Sequence, residues 1–234
     1  MSSISNSEWV TSNLFEVTEP ISRLAANQAD YGKFKYIEIS SINNEALRVE
    51  TFSEHTIETA PSRAKQILKK GDTIFSTVRP YLKNVAIITD DHDASIASTG
   101  FCVLRPNQEI LPEYLFYFCT SDFFINAVSS DQYGVSYPAV NEDHIRCREI
   151  HYPSISKQKE IINFISLAFE KIDRGVSNLV DAEKQLELYR QSVLKDAFEG
   201  KLTADWREAN PDKVEPADKL IARIEAERKA AHQA

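Results

Sequence analysis

The chain has 234 residues, 42% hydrophobic and 26% charged, a balance that allows a real core and is ordinary for a soluble protein. Its formal net charge of −8 argues against a free-standing nucleic-acid binder, since such proteins carry a basic footprint. The deficit lies in residues 1–150, where 13 Lys and Arg face 20 Asp and Glu, while residues 151–234 carry 14 against 15.

No apolar run approaches the roughly 18 residues needed to span a bilayer, so no membrane association is expected. Residues 1–6 show neither a basic region nor an apolar core, so no signal peptide is read there. Cys102, Cys119 and Cys147 lack CxxC spacing and read as reduced thiols of a cytoplasmic protein. The histidines are scattered without a pair at ligand spacing, so neither a metal site nor a cofactor is predicted.

In chain order, residues 8–24 begin with a short apolar segment suited to a strand or a first helical turn. Alternation of Phe34, Tyr36, Ile37, Ile39 and Ile42 predicts a strand over 34–42. Residues 59–68 read as a loop entering a short helix that stops at Gly71. Gly71-Asp72 is a turn, residues 73–78 a strand ending before Pro80, and residues 84–89 a buried strand closed by Asp90-Asp91-His92-Asp93. Residues 96–104 read as a further strand. Pro112, well suited to a first helical position, opens a helix running to about Val128. Residues 129–141 form a polar loop, 143–150 are short and mixed, and Tyr152-Pro153 closes the domain. The fold class is α+β.

A long helix is predicted over 157–198, with Ser154 or Ser156 as N-cap and Gly200 as a left-handed C-terminal cap. Ile165, Ile172, Leu179, Leu186 and Val193 recur every seven residues, the spacing of a coiled-coil seam. At 1.5 Å per residue the rod is about 60 Å long. Ala168, Gly175 and Ala182 lie three residues after the seam, where small side chains admit a close partner helix. Residues 201–216 look extended, and 217–231 read as a charged helix.

Catalysis is not expected. The chain has no G-x-G-x-x-G, Walker A or G-x-S-x-G motif, and neither the glycine-rich loop nor the Asn/Asp-Pro-Pro-aromatic motif of an adenine methyltransferase. Pro211-Asp212 with Glu227-Arg228-Lys229 loosely matches a nuclease pattern but has no strand context.

Recognition chemistry is better represented. Ser76, Thr77, Arg79, Tyr81, Lys83 and Asn84 crowd hydroxyls, cations, an amide and an aromatic ring into one strand-end loop. Arg suits guanine O6/N7 and Asn suits adenine N6/N7; the alternative is an ordinary polar turn. Ser136 and Tyr137 lie in a second loop of similar character, which equally suits packing on a core. Arg63, Lys65, Lys69 and Lys70 are the densest basic cluster, either a phosphate site or a solvated face.

Gly71-Asp72-Thr73-Ile74-Phe75-Ser76-Thr77-Val78-Arg79-Pro80 resembles a segment of target-recognition domains in type I restriction-modification specificity subunits. Tyr133-Gly134-Val135-Ser136-Tyr137-Pro138-Ala139-Val140-Asn141, Tyr152-Pro153 and Gln158-Lys159-Glu160-Ile161-Ile162 resemble the close of such a domain. Tyr137 stands where the family often has Arg, and Lys157-Gln158 where it often has Glu-Gln. Arg190-Gln191-Ser192-Val193-Leu194-Lys195-Asp196-Ala197-Phe198-Glu199-Gly200-Lys201-Leu202 is similar to the end of the family's spacer helix. The resemblance implies a non-catalytic subunit that directs partner methyltransferase and restriction subunits to a bipartite site on double-stranded DNA. It implies a target-recognition domain at 1–152, a coiled-coil spacer helix at 153–200 and a linker with a C-terminal helix at 201–234. The family plan usually has two recognition domains and two antiparallel spacer helices. This chain, with one of each, is expected to act as a head-to-tail homodimer or as half of a longer subunit. Expected base contacts are Ser76, Thr77, Arg79, Tyr81, Lys83, Asn84, Ser136 and Tyr137, and expected phosphate contacts Arg63, Lys65 and Lys70. The rival reading is an oligomerisation adaptor whose N-terminal domain binds protein, in keeping with the acidic charge.

Overall fold

A computed structural model of the chain describes residues 9–24, 32–131 and 138–233. Contacts divide it into two compact units, residues 1–167 and 168–234. The first unit is α+β, as its mixed pattern of short strands and helices predicts.

In that unit β1 (Val10–Asn13) lies antiparallel to β12 (Glu149–Tyr152), with Val10 opposite Tyr152. The start and the end of the strand-rich region therefore hold each other. One four-stranded sheet has the order β6 (Ser53–His55), β3 (Phe34–Ile37), β10 (Ile96–Ser98), β7 (Ala64–Ile67). A second runs β2 (Thr18–Glu19), β11 (Phe101–Pro106), β8 (Thr73–Ser76), β9 (Val85–Ile87). A two-stranded ribbon, β4 (Ile42–Asn43) with β5 (Arg48–Val49), completes the β part. Helices α1 (Pro112–Thr120), α2 (Asp122–Ser129) and α3 (Glu142–Arg146) lie between β11 and β12 in the chain. Phe75, Leu104, Leu115, Phe124 and Ile145 share one buried cluster, in which Phe75 meets Phe124 edge to face with centroids 5.4 Å apart.

The Gly71-Asp72 turn is built into this core. Gly71 has φ +88°, a left-handed conformation suited to glycine, and an added Cβ would lie 3.2 Å from the Pro112 ring. Asp72 accepts two bonds from Arg105, from Nε at 2.8 Å and from NH2 at 2.7 Å, and a third from the Lys69 amide at 2.8 Å. Both charged side chains are buried or nearly so. The same guanidinium donates to the Ile67 carbonyl, so the pair ties β11, the turn before β8 and the end of β7 together.

Several elements differ from the sequence reading. Residues 64–67 are the strand β7, not a short helix: Ala64 and Gln66 point inward, and Gln66 Nε2 donates to the Ser98 and Phe101 carbonyls at 2.8 Å each. The predicted strand over 34–42 ends at Ile37, and Ile39–Ser41 is a 3-10 turn before β4. The strand expected over 96–104 is two strands, β10 and β11, in different sheets. They part at Thr99-Gly100, where a Cβ on Gly100 would come within 2.9 Å of Ile39 Cδ1. The helix expected to run from Pro112 to Val128 breaks at Ser121, whose extended backbone and hydroxyl cap α2 through the Phe124 amide.

Helix α4 (Ile155–Phe198) begins within the first unit and continues into the second. Gln158, fully buried in its first turn, accepts from the Leu111 amide at 2.8 Å and donates to the Glu109 and Pro153 carbonyls at 2.9 Å each. Gln158→Leu is expected to lower the unfolding free energy by about 3 kcal/mol, since it strands several buried backbone groups. Urea denaturation checks this, and a loss near zero contradicts the role.

In the second unit Gly200, at φ +72°, terminates α4 as predicted. The stretch 201–216 is not extended: it holds α5 (Ala204–Ala209) between 3-10 turns Lys201–Thr203 and Pro211–Lys213. Arg207 donates to Thr203 Oγ1, coiling the chain back onto the cap. Helix α6 (Ala217–Gln233) occupies the predicted place. Along the seam, Ile172, Leu179 and Leu186 are 58%, 72% and 67% exposed, whereas Ile165 and Val193 are half-buried.

Candidate nucleic-acid interface

The antiparallel pair β8–β9 is joined by residues 77–84, the loop singled out for its polar content. The Ser76 amide donates to the Asn84 carbonyl at 3.0 Å and closes its base. Thr77 hangs on the β10–β11 turn, its amide and hydroxyl both donating to the Gly100 carbonyl at 2.9 and 3.0 Å. Beyond it the chain bends twice through left-handed conformations, Arg79 at φ +47° and Lys83 at φ +54°, on either side of the 3-10 turn Pro80–Leu82. Each such bend in a residue with a Cβ costs about 1–2 kcal/mol, so the neighbouring structure must impose it. The imposing contacts come from afar: Asn44 Nδ2 donates to the Leu82 carbonyl at 2.9 Å, and Lys83 Nζ pairs with Asp122 at 2.6 Å. Tyr81 is left 49% exposed, Leu82 is exposed, and Asn84 is half-buried.

Residues 138–140 dock on this loop. Val78 bridges to Ala139, the Arg79 amide donates to the Pro138 carbonyl at 2.8 Å, and the Val140 amide donates to the Thr77 carbonyl at 2.9 Å. Ser136 and Tyr137 lie outside the described residues. On the other flank the Thr99 amide donates to the Arg63 carbonyl at 2.9 Å, so exposed Arg63 stands beside the turn that carries Thr77. The expected residues Arg63, Thr77, Arg79, Tyr81, Lys83 and Asn84 thus belong to one end of the sheets.

Three expected residues sit differently. Ser76 is 1% exposed and its hydroxyl donates to the Val78 carbonyl at 2.8 Å, so it shapes the loop from beneath. Lys65 is half-buried along β7. Lys70 lies before β8, at the end of that strand remote from Thr77, about 10 Å of strand away. There it pairs with Asp90 at 2.8 Å, and Asp90, Asp93 and Glu113 hold its ammonium above the ordinary range. Sequence reasoning missed Asn44 and Asp122. Asp122 opens α2 beside the capping Ser121, and its carboxyl is held below the usual range by the Lys83 hydrogen bond and charge.

Among the described residues no group of three or more His, Cys, Asp or Glu side chains is placed to hold a metal ion, and no helix is long and apolar enough to cross a membrane. The first unit thus holds a strand-rich fold in which residues 138–140 brace the loop 77–84, and α4 carries apolar residues at heptad spacing. The model of the type I restriction modification DNA specificity domain matches residues 6–180, and the chain belongs to that family. It is 29% identical over 180 residues to the type I restriction enzyme EcoDI specificity subunit of Escherichia coli, covering 74% of this chain and 39% of that protein. Against the HindI specificity subunit of Haemophilus influenzae it is 27% identical over 198 residues, covering 82% and 41%. The crystal structure of the HsdS subunit from Thermoanaerobacter tengcongensis superposes with a TM-score of 0.74 at 35% identity, covering 81% of this chain and 49% of that one. The chain spans about half the length of the relatives it matches.

Proposed function

We propose that this chain chooses the DNA sequence for a type I restriction-modification complex, bringing modification (methyltransferase) and restriction subunits to a bipartite double-stranded site. Residues 1–152 read the bases, 153–200 form the spacer helix, and 201–234 are a helical extension. The chain itself is non-catalytic, and its place is the cytoplasm. The observation that carries the reading is the pairing of the two polar loops, Arg79 to Pro138 and Val78 to Ala139, on a chain of this family. On this surface Arg79, Tyr81, Lys83 and Asn84 contact base edges, with Thr77 positioned by Gly100; Ser136 and Tyr137 are proposed as further base contacts. Arg63 and Lys65 supply phosphate contacts. Lys70, engaged with Asp90, stands apart from this surface.

The spacer pairs antiparallel through Ile165, Ile172, Leu179, Leu186 and Val193. Its partner is a second copy, giving a palindromic interrupted site, or the second half of a longer subunit. The acidic first unit is compatible with DNA because partner subunits lend phosphate attraction. Family membership favours DNA over a protein ligand, the rival suggested by net charge.

Random-sequence selection with the complex reconstituted with its modification subunit tests the reading. A bipartite motif is expected to emerge; recovery of no motif overturns it. Arg79→Ala is expected to weaken the selected duplex by about 10- to 100-fold, the 1–3 kcal/mol of a good base contact, and random duplex far less. Competition binding at fixed salt measures the ratio.

A further inference from the structure

Lys83 is paired within the protein. Its Nζ lies 2.6 Å from Asp122 Oδ1, and the carboxylate comes from the first turn of α2, not from the loop. Asp122 is largely exposed and Lys83 only partly, so the acid stands at the surface beside Tyr81 and Leu82. Phe123, next to it, is also exposed. Helix α2 packs on the 3-10 turn Pro80–Leu82, so its first turn extends the same rim. The Asp122 carboxylate is not needed to cap α2, because Ser121 already accepts the Phe124 amide. Nor is it a buried tie like Asp72, being open to water.

We infer that Asp122 is a specificity-determining residue: its carboxylate keeps Lys83 neutralised against phosphate until cognate bases satisfy the loop. The inference rests on the proposed reading of DNA by residues 77–84. A lysine at a recognition surface attracts any phosphate, and this attraction raises affinity for every sequence alike. A carboxylate held against that lysine cancels most of the indiscriminate attraction and adds repulsion toward a phosphate at the same place. On the right sequence Lys83 turns to a base edge beside Arg79, Tyr81 and Asn84, no phosphate lies against Asp122, and the penalty is not incurred. On a wrong sequence the loop meets phosphate instead of a matching base edge, and the carboxylate opposes it. Specificity arises as a difference between two affinities, here by penalising the competitor. The left-handed Lys83 backbone serves the same end, since it fixes where the ammonium starts and keeps it in reach of α2.

The test compares wild type with Asp122→Asn and Asp122→Glu, each assembled with the modification subunit, on the duplex from selection and on random duplex across a salt series. Asp122→Asn is expected to bind random duplex about 5- to 20-fold more tightly and to steepen its log K against log[salt] slope by about one unit, the signature of one further phosphate contact. Affinity for the selected duplex rises less, so discrimination falls. Asp122→Glu, which keeps the charge, is expected to restore the wild-type ratio and slope. A purely structural role for Asp122 moves neither slope nor ratio in this way. Unchanged slope and ratio in Asp122→Asn, with wild type discriminating normally, overturn this inference alone. A wild-type complex with no preference for any duplex overturns it together with the reading it rests on.

Discussion

Asp72→Ala is expected to cost the first unit about 3–5 kcal/mol, the penalty for leaving one member of a buried ion pair without its partner. Arg105, 10% exposed at its side chain, would keep its charge with the Ile67 carbonyl as its one remaining acceptor among the described residues, and the Lys69 amide would lose its bond as well. The test is equilibrium urea denaturation of single and double variants. Asp72→Leu with Arg105→Met should recover most of the loss, since matched apolar groups avoid the desolvation that makes the orphan cation costly. A cost for Asp72→Ala below about 1 kcal/mol, typical of an exposed pair, contradicts the assignment. The same variant bears on recognition. Asp72 fixes the start of β8, and the far end of that strand carries Thr77 and the turn at Arg79. The Gly71-Asp72 opening of the family-like motif is therefore structural, and the loop proposed to read bases begins several residues later.

That division within one motif marks what a sequence discloses. Strands β8 and β9 were legible because continuous apolar runs are bounded by Gly71-Asp72, Pro80 and the acidic turn at Asp90. Helix α4 and its cap were legible because heptad spacing and Gly200 act locally. Strand β7 was not: Ala64-Lys65-Gln66 favours helix by propensity, and pairing on both edges overrides it. The Leu24 amide reaches the Lys65 carbonyl at 2.7 Å on one side, and β10 pairs on the other. That error also grouped Lys70 with Arg63. On a helix the two would lie about two turns apart, whereas the strand and the turn after it carry Lys70 to the remote end of β8. In the loop, Arg79, Tyr81, Lys83 and Asn84 stood out by crowding alone. Their positioning partners did not, because Asn44 and Asp122 lie 38 and 39 residues away in the chain from the groups they hold.

Leu179→Glu with Leu186→Glu is expected to abolish self-association through the spacer. Both side chains lie at the surface of the single chain, so the substitution leaves the monomer's own packing intact. In a homodimer they would be covered in both copies, four leucines at about 1.5–3 kcal/mol each, a total comparable with the entire binding energy of about 8 kcal/mol in a micromolar dimer. Four carboxylates brought into the seam oppose pairing further. Sedimentation velocity over a concentration series should show a monomer for the variant and a dimer for wild type. Urea denaturation should show the first unit unaltered. An unchanged dimer rejects the coiled-coil assignment. Loss of the dimer has a consequence for sequence choice under the proposed function. If α4, about 66 Å at 1.5 Å per residue, only sets the distance between two readers, the variant complex should still enrich one half-site. The second half-site, and the fixed spacing to it, should vanish from the selected pool. Disappearance of both half-sites would mean that the spacer contributes to reading itself, and that residues 77–84 do not suffice.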